Sequence, residues 1–177
     1  MKTLIFSIAL SSLVIASCNN ASRDSATQGT KDKDTIATVG AAPANSSSIQ
    51  AILDPYFEVK NALTQDDAKT AAEAAQNLVK ALKAFDQSSL KEEQKKIYTD
   101  VYDDAQEHAE HISSNAANIK HQREHFETLS DEVYELAKSA GGTQKLYYTN
   151  CPMYNNNKGA NWLSETKEVK NPYLGMA

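Results

Sequence analysis

From Ile49 to Ala137 the apolar residues of this sequence recur three and four positions apart, in four runs separated by polar punctuation. A chain patterned this way hides its apolar surface by packing helix on helix. The first run is Ile49, Ile52, Leu53, Tyr56, Lys60 and Leu63, with Ser46 to Ser48 as candidate N-caps. Pro55 allows two starts: a helix from Ser48 that tolerates a kink, or one capped by Asp54 with Pro55 as its first residue. Asp66 or Asp67 caps a second helix through Ala68, Ala71, Ala72, Ala75, Leu78, Val79, Leu82 and Phe85, whose small residues predict a close neighbour.

Ser89-Leu90-Lys91-Glu92 has the spacing of a capping box and predicts the start of a third helix through Ile97, Val101, Ala105, Ala109, Ile112 and Ala116. A fourth runs through Phe126, Leu129, Val133, Leu136 and Ala137 and stops at Gly141-Gly142. Short polar loops between four such helices predict an all-α protein, an antiparallel up-down four-helix bundle over residues 48–140. After Thr143 the pattern changes: Leu146, Tyr147 and Tyr148 are strand-like, and then Asn, Gly and Pro dominate. Residues 141–177 are therefore expected to form an irregular or short β-hairpin extension packed on the bundle, anchored by Trp162 and Leu163.

The N-terminus speaks to location. MKTLIFSIALSSLVIASC combines a lysine, an apolar run too short to span a membrane and small residues before a cysteine, the layout of an export signal over residues 1–17. Ile15-Ala16-Ser17-Cys18 resembles a bacterial lipobox, which makes Cys18 the expected lipidation site and the membrane an expected partner through the anchor. Asn19 and Asn20 lack the aspartate associated with inner-membrane retention, which favours the outer membrane, facing the periplasm. Residues 18–47 are Ser-, Thr-, Ala-, Asp- and Lys-rich with almost no large apolar side chain, a composition expected of a flexible tether. Within it, Asp24-Ser25-Ala26 and Asp34-Thr35-Ile36 are short matches to a Bacteroidota O-glycosylation motif.

Lipidation of Cys18 leaves Cys151 as the remaining thiol of the mature chain, without a partner for an internal disulfide. In an oxidising compartment a lone cysteine needs a reason: metal binding, an intermolecular bond or burial. Met153 stands two residues on, and in an extended segment the two side chains would project to one side with Pro152 stiffening the backbone between them. A thiolate and a thioether are soft donors suited to Cu(I). The alternative is a buried thiol beside a space-filling methionine.

Four histidines supply the other candidate donors, as His108-x-x-His111 and His121-x-x-x-His125, each spacing placing a pair on one helix face. His108 falls within the apolar stripe, His111 and His125 at its edges, and His121 further out. Semi-buried or solvated histidines without a metal are the competing expectation. The sequence has no glycine-rich phosphate loop, no GxSxG elbow and no HExxH pattern, and so no enzyme is expected. A formal net charge of -5 argues against nucleic acid as a partner.

Tyr147 through Cys151-Pro152-Met153, Lys158-Gly159-Ala160-Asn161-Trp162-Leu163-Ser164 and Glu168-Val169-Lys170-Asn171-Pro172-Tyr173 resemble a Bacteroidota domain family of unknown function. Tyr56-Phe57-Glu58-Val59-Lys60-Asn61-Ala62-Leu63 and Arg123-Glu124-His125-Phe126-Glu127-Thr128-Leu129-Ser130 match it too, so the resemblance spans residues 49–175. Members of that family occur as lipoproteins and as domains appended to the periplasmic adaptor subunits of copper/silver efflux pumps of the RND type. The resemblance implies a periplasm-facing helical domain that handles heavy metal, with Cys151 and Met153 as soft donors and an efflux adaptor or transporter as partner. Relatives usually continue past the Asn-Pro-Tyr segment into a Met-x-x-Cys-Gly ending; here Gly175-Met176-Ala177 follows, and Met176 is the candidate stand-in. The resulting expectation is a Cu(I) site built from Cys151 and Met153, with Met176, His108 and His125 as additions. A protein-interaction module of the cell envelope, with Cys151 merely buried, is the alternative.

Overall fold

Four long helices and one β-hairpin make up the computed structural model, which describes residues 48–140 and 144–176. The lipobox, the export signal, the tether, its glycosylation motifs and Gly141-Gly142 lie outside the described residues. Helix α1 is Gln50–Thr64, α2 Ala68–Ala84, α3 Glu92–Ser114 and α4 Ile119–Ala140. Each packs against the next in sequence, and α1 returns to α4, which closes the expected bundle. Strands β1, Tyr147–Cys151, and β2, Ala160–Ser164, form an antiparallel pair in which Tyr147 faces Ser164 and Cys151 faces Ala160. None of the described helices is long and apolar enough to cross a membrane.

Local chemistry explains the helix ends. Ser48 Oγ accepts the Gln50 N–H at 3.3 Å, and α1 runs straight through Pro55, the first of the two starts that the sequence allows. Asp67 caps α2 by accepting the Thr70 N–H at 2.9 Å. The capping box expected at Ser89 does not form. Asp86 accepts the Ser88 N–H and draws Gln87–Ser89 into a short 3-10 turn, so the cap of α3 moves two residues on, to Lys91, whose N–H is accepted by Gln94 Oε1 at 2.9 Å.

The core follows the predicted stripes, with Ile52, Tyr56, Leu63, Leu78, Leu82, Ala105, Ala109, Ile112, Phe126, Leu129 and Val133 all buried. Ala71 and Ala75 are fully buried on α2, as their small size requires where helices approach closely. Trp162 and Leu163 anchor the hairpin as expected, at 1% and 3% exposure. The Tyr56 hydroxyl ties this hairpin to the bundle: it accepts the Leu163 N–H at 3.0 Å and lies 2.9 Å from Ser130 Oγ on α4. Burying it leaves no unpaired polar atom there.

Two charged contacts fasten the C-terminal segment. Lys60, nearly buried on α1, meets Glu165 at 2.6 Å. Burial pushes the Glu165 carboxyl up, but hydrogen bonds from Lys60, its own backbone and Asn61, together with the Lys60 charge, outweigh it and leave the group below its usual value. Arg123 on α4 donates to the Pro172 and Leu63 carbonyls at 2.7 and 2.8 Å and pairs with Asp66 at 2.6 Å. Asp66 also accepts the Met176 N–H at 3.1 Å, and Gly175 bends beside it at φ +67°. A Cβ at Gly175 would collide with the Asp66 carboxylate and the Arg123 guanidinium, so the close approach needs glycine.

Candidate metal centre

The antiparallel packing of α3 on α4 brings all four histidines to one seam. His108 Nδ1 lies 2.9 Å from His125 Nδ1, and His125 Nε2 lies 3.1 Å from His121 Nε2. His111 stacks on His125 with ring centroids 4.1 Å apart and planes only 5° from parallel, while His121 meets the same ring edge-on. His111, His121 and His125 can each offer one ring nitrogen with all three atoms within 4.8 Å of one another, a group that includes neither Cys151 nor a carboxylate.

The tautomers are set by what surrounds each ring. Glu124 Oε2 lies 3.3 Å from His121 Nδ1, and a carboxylate accepts, so it favours a proton on that nitrogen. Where His108 Nδ1, placed in the same way relative to His125 Nδ1, is the acceptor, the proton sits on His125 Nδ1. Each ring then turns an unprotonated Nε2 toward the other across 3.1 Å. Two lone pairs cannot face each other at that distance without a proton or a cation between them. Two imidazole nitrogens bound to one ion at about 2.0–2.1 Å sit roughly 2.9 Å apart at a right angle and 3.4 Å apart at the tetrahedral angle. The observed spacing lies between these values.

Electrostatics keep the cluster's central ring neutral. Burial, followed by the neighbouring imidazoles of His111, His121 and His108 and opposed by Glu124, pushes His125 down to about 4. Burial also lowers His108, with His111 adding to the effect and Glu107 and Asp104 opposing it. A neutral imidazole is the form that ligates metal. The cluster is open on one side: His111, its side chain 44% exposed, also lines a cleft of about 220 Å³ with Glu107, Glu110 and Ser114.

The other predicted donors are arranged differently. Cys151 is 2% exposed, at the end of β1, whereas Met153 is 63% exposed. The shared side expected for the pair requires extended backbone, but the strand ends at Cys151 and Met153 takes a helical conformation, φ -87° and ψ -17°. The next residues, Asn155, Asn156 and Asn157, have φ values of 51°, 55° and 64°, a left-handed turn that reverses the chain toward β2. Asn is among the few residues that adopt this conformation readily, and Asn155 Nδ2 reaches the Glu127 carboxylate at 3.3 Å. Met176 is 75% exposed, its backbone held at Asp66 beside the turn from α1 to α2.

Of the four histidines that the sequence offers as donors, their place on or beside the apolar stripes puts His108 and His125 ahead of His111 and His121. Helix periodicity judges each residue against its own helix, and His121 points away from the stripe of α4 while still facing α3. The signal available in the sequence was the pair of spacings itself, His108/His111 near the end of one helix and His121/His125 near the start of the next. A tight antiparallel connection superposes two such pairs.

Comparison with curated proteins and with solved structures gives no match. A family model described as "Protein of unknown function (DUF3347)" matches residues 52–145, from α1 through α4 and over the whole histidine seam. That match covers more than half of the chain, which therefore belongs to the DUF3347 family of unknown function.

Proposed function

We propose that this is a metal-binding protein of the cell envelope, that its ion sits in the histidine seam between α3 and α4, and that the ion is copper. The observation that carries the reading is the facing pair of Nε2 atoms of His121 and His125, 3.1 Å apart, with the opposite nitrogen of each ring in contact with Glu124 or His108. Imidazole is a borderline donor that suits copper and zinc, and affinity at nitrogen sites peaks at Cu(II). Copper also agrees with the resemblance to domains appended to copper/silver efflux adaptors. On this reading Cys18 carries the lipid anchor, the domain faces the periplasm from the outer membrane, and the bound copper is buffered or passed to an efflux component.

The Cu(I) site expected at Cys151 and Met153 has less support from geometry than the seam. Cys151 is 2% exposed, whereas Met153 and Met176 are 63% and 75% exposed, so the three candidate sulfur residues differ sharply in their surroundings. The burial of Cys151 favours a second reading, an envelope interaction module without metal. Equilibrium dialysis of residues 48–177 against Cu(II) separates the two. One ion per chain, abolished in the His121→Ala/His125→Ala double variant, supports the seam. No ion bound by the wild-type chain supports the interaction module.

A further inference from the structure

We infer that His111, His121 and His125 bind the copper ion, that His108 positions His125 without binding it, and that a remaining coordination position opens to the cleft at Glu107 and Glu110. This inference rests on the copper reading above and assigns the parts within it. The three ligands are the rings whose nitrogens already lie within 4.8 Å of one another, and His108 is outside that group. His108 instead meets the nitrogen of His125 that points away from His121, at 2.9 Å. A histidine ligand is commonly fixed by a hydrogen bond on its second nitrogen, which sets both tautomer and ring orientation. Glu124 stands in the same relation to His121.

Ion binding asks one ring to move. Stacked rings 5° from parallel hold their lone pairs in nearly parallel planes that do not meet at one ion, so His111 must tilt out of its stack on His125 for the three to converge. Its exposure gives it room, and its nearest carboxylate, Glu107, is 3.7 Å away, too far to hold it by a hydrogen bond. His121 and His125 form the pre-arranged half of the site, and His111 closes it.

Three nitrogen donors leave Cu(II) short of its usual tetragonal set. The cleft of about 220 Å³ that His111 shares with Glu107, Glu110 and Ser114 is the side on which a further donor reaches the ion. Glu110 is already occupied by Lys83 at 3.0 Å and by Gln106, so it rims the cleft and leaves the position open. Such a site holds its ion while a small anion, or a donor group of an acceptor protein, attaches from solvent, and this is how an ion exchanges without unfolding the bundle.

Azide is the probe, added to the Cu(II)-loaded chain. A new azide-to-copper charge-transfer band that saturates at one azide per copper is expected. Bound copper whose spectrum azide leaves unchanged would overturn the open position while leaving the copper reading intact; failure of the wild-type chain to bind Cu(II) would overturn both. The role of His108 is read from copper affinity and from nitrogen hyperfine structure in the electron paramagnetic resonance spectrum. His108→Phe is expected to weaken binding about tenfold with three coupled nitrogens retained. His108→Asn, whose carbonyl oxygen takes the place of Nδ1 as acceptor, is expected to recover wild-type affinity. A loss of one coupled nitrogen in His108→Phe would make His108 a ligand and contradict the assignment.

Discussion

The histidine seam and the C-terminal hairpin contain the metal-loving residues of the described chain, and they use them in opposite ways. In the hairpin the thiol is a packing element: Cys151 closes a strand whose neighbours Trp162, Leu163 and Tyr173 complete the core. In the seam the four partly exposed imidazoles pack against one another, with ring nitrogens of His108, His121 and His125 facing each other. A soft donor that is buried among apolar neighbours contributes to stability. A set of borderline donors held close together and half in water can take up an ion. Residue type alone ranks the two regions the other way round, because thiolate and thioether are the stronger soft donors; position in the fold reverses that ranking.

The sharpest way to break this contrast is to damage the hairpin and ask whether the seam notices. Trp162→Ala empties the largest fully buried side chain and should cost roughly 3–5 kcal/mol of stability in a denaturant titration. Copper affinity of the molecules that remain folded should be unchanged; a parallel loss would show that the two regions are one site. The converse variant, His125→Ala, should weaken copper binding at least 100-fold, about 2.7 kcal/mol, in competition with a chelator. Its melting temperature should move little, since the ring is only partly buried and contributes no core volume.

Cys151→Ser sharpens the same contrast at intermediate cost. A buried hydroxyl with no prepared partner should destabilise the fold by about 1–3 kcal/mol while copper affinity stays at the wild-type value. If Cys151→Ser instead lowered affinity as far as His125→Ala does, the thiol would be a ligand.

Acid should separate the regions as well. His125 holds a proton less tightly in the folded state, at about 4, than at its ordinary value of 6.5 in the unfolded chain. Between those values the unfolded state binds more protons, so this contribution to the stability of the metal-free protein is complete above pH 6.5 and is lost as the pH falls toward 4. Replacing His125 with Gln should flatten the stability profile over that window, whereas Cys151→Ser should leave its shape alone. The smallest effect is expected for Met153→Leu: an exposed thioether exchanged for an exposed aliphatic should change stability by less than about 0.5 kcal/mol and leave copper affinity as it is.

The bundle was legible because its signals are local. Apolar spacing, Asp67 before α2 and the alanine face of that helix each act within one or two turns, and the structure uses all three. Trp162 and Leu163 were legible as anchors because large apolar residues in a polar segment have few other roles. What escaped depends on how separate elements meet. The register of α3 against α4 decides that His111 stacks on His125, that it meets His121 edge-on and that His108 reaches His125, and no single helix encodes it. The Arg123 clamp on Leu63, Asp66 and Pro172 joins residues from three parts of the chain for the same reason. The left-handed run of Asn155, Asn156 and Asn157, which turns the chain back after Cys151-Pro152-Met153, is a conformation that strand alternation does not anticipate.

X-ray absorption at the copper edge of the loaded protein tests the central claim most directly, because it reports which atoms surround the ion. Imidazole ligation predicts a nitrogen shell at about 2.0 Å with the outer-shell scattering of histidine rings and no sulfur, in both the wild type and Cys151→Ser. A sulfur shell near about 2.3 Å in the wild type that disappears in Cys151→Ser would place the ion at the hairpin and contradict the account.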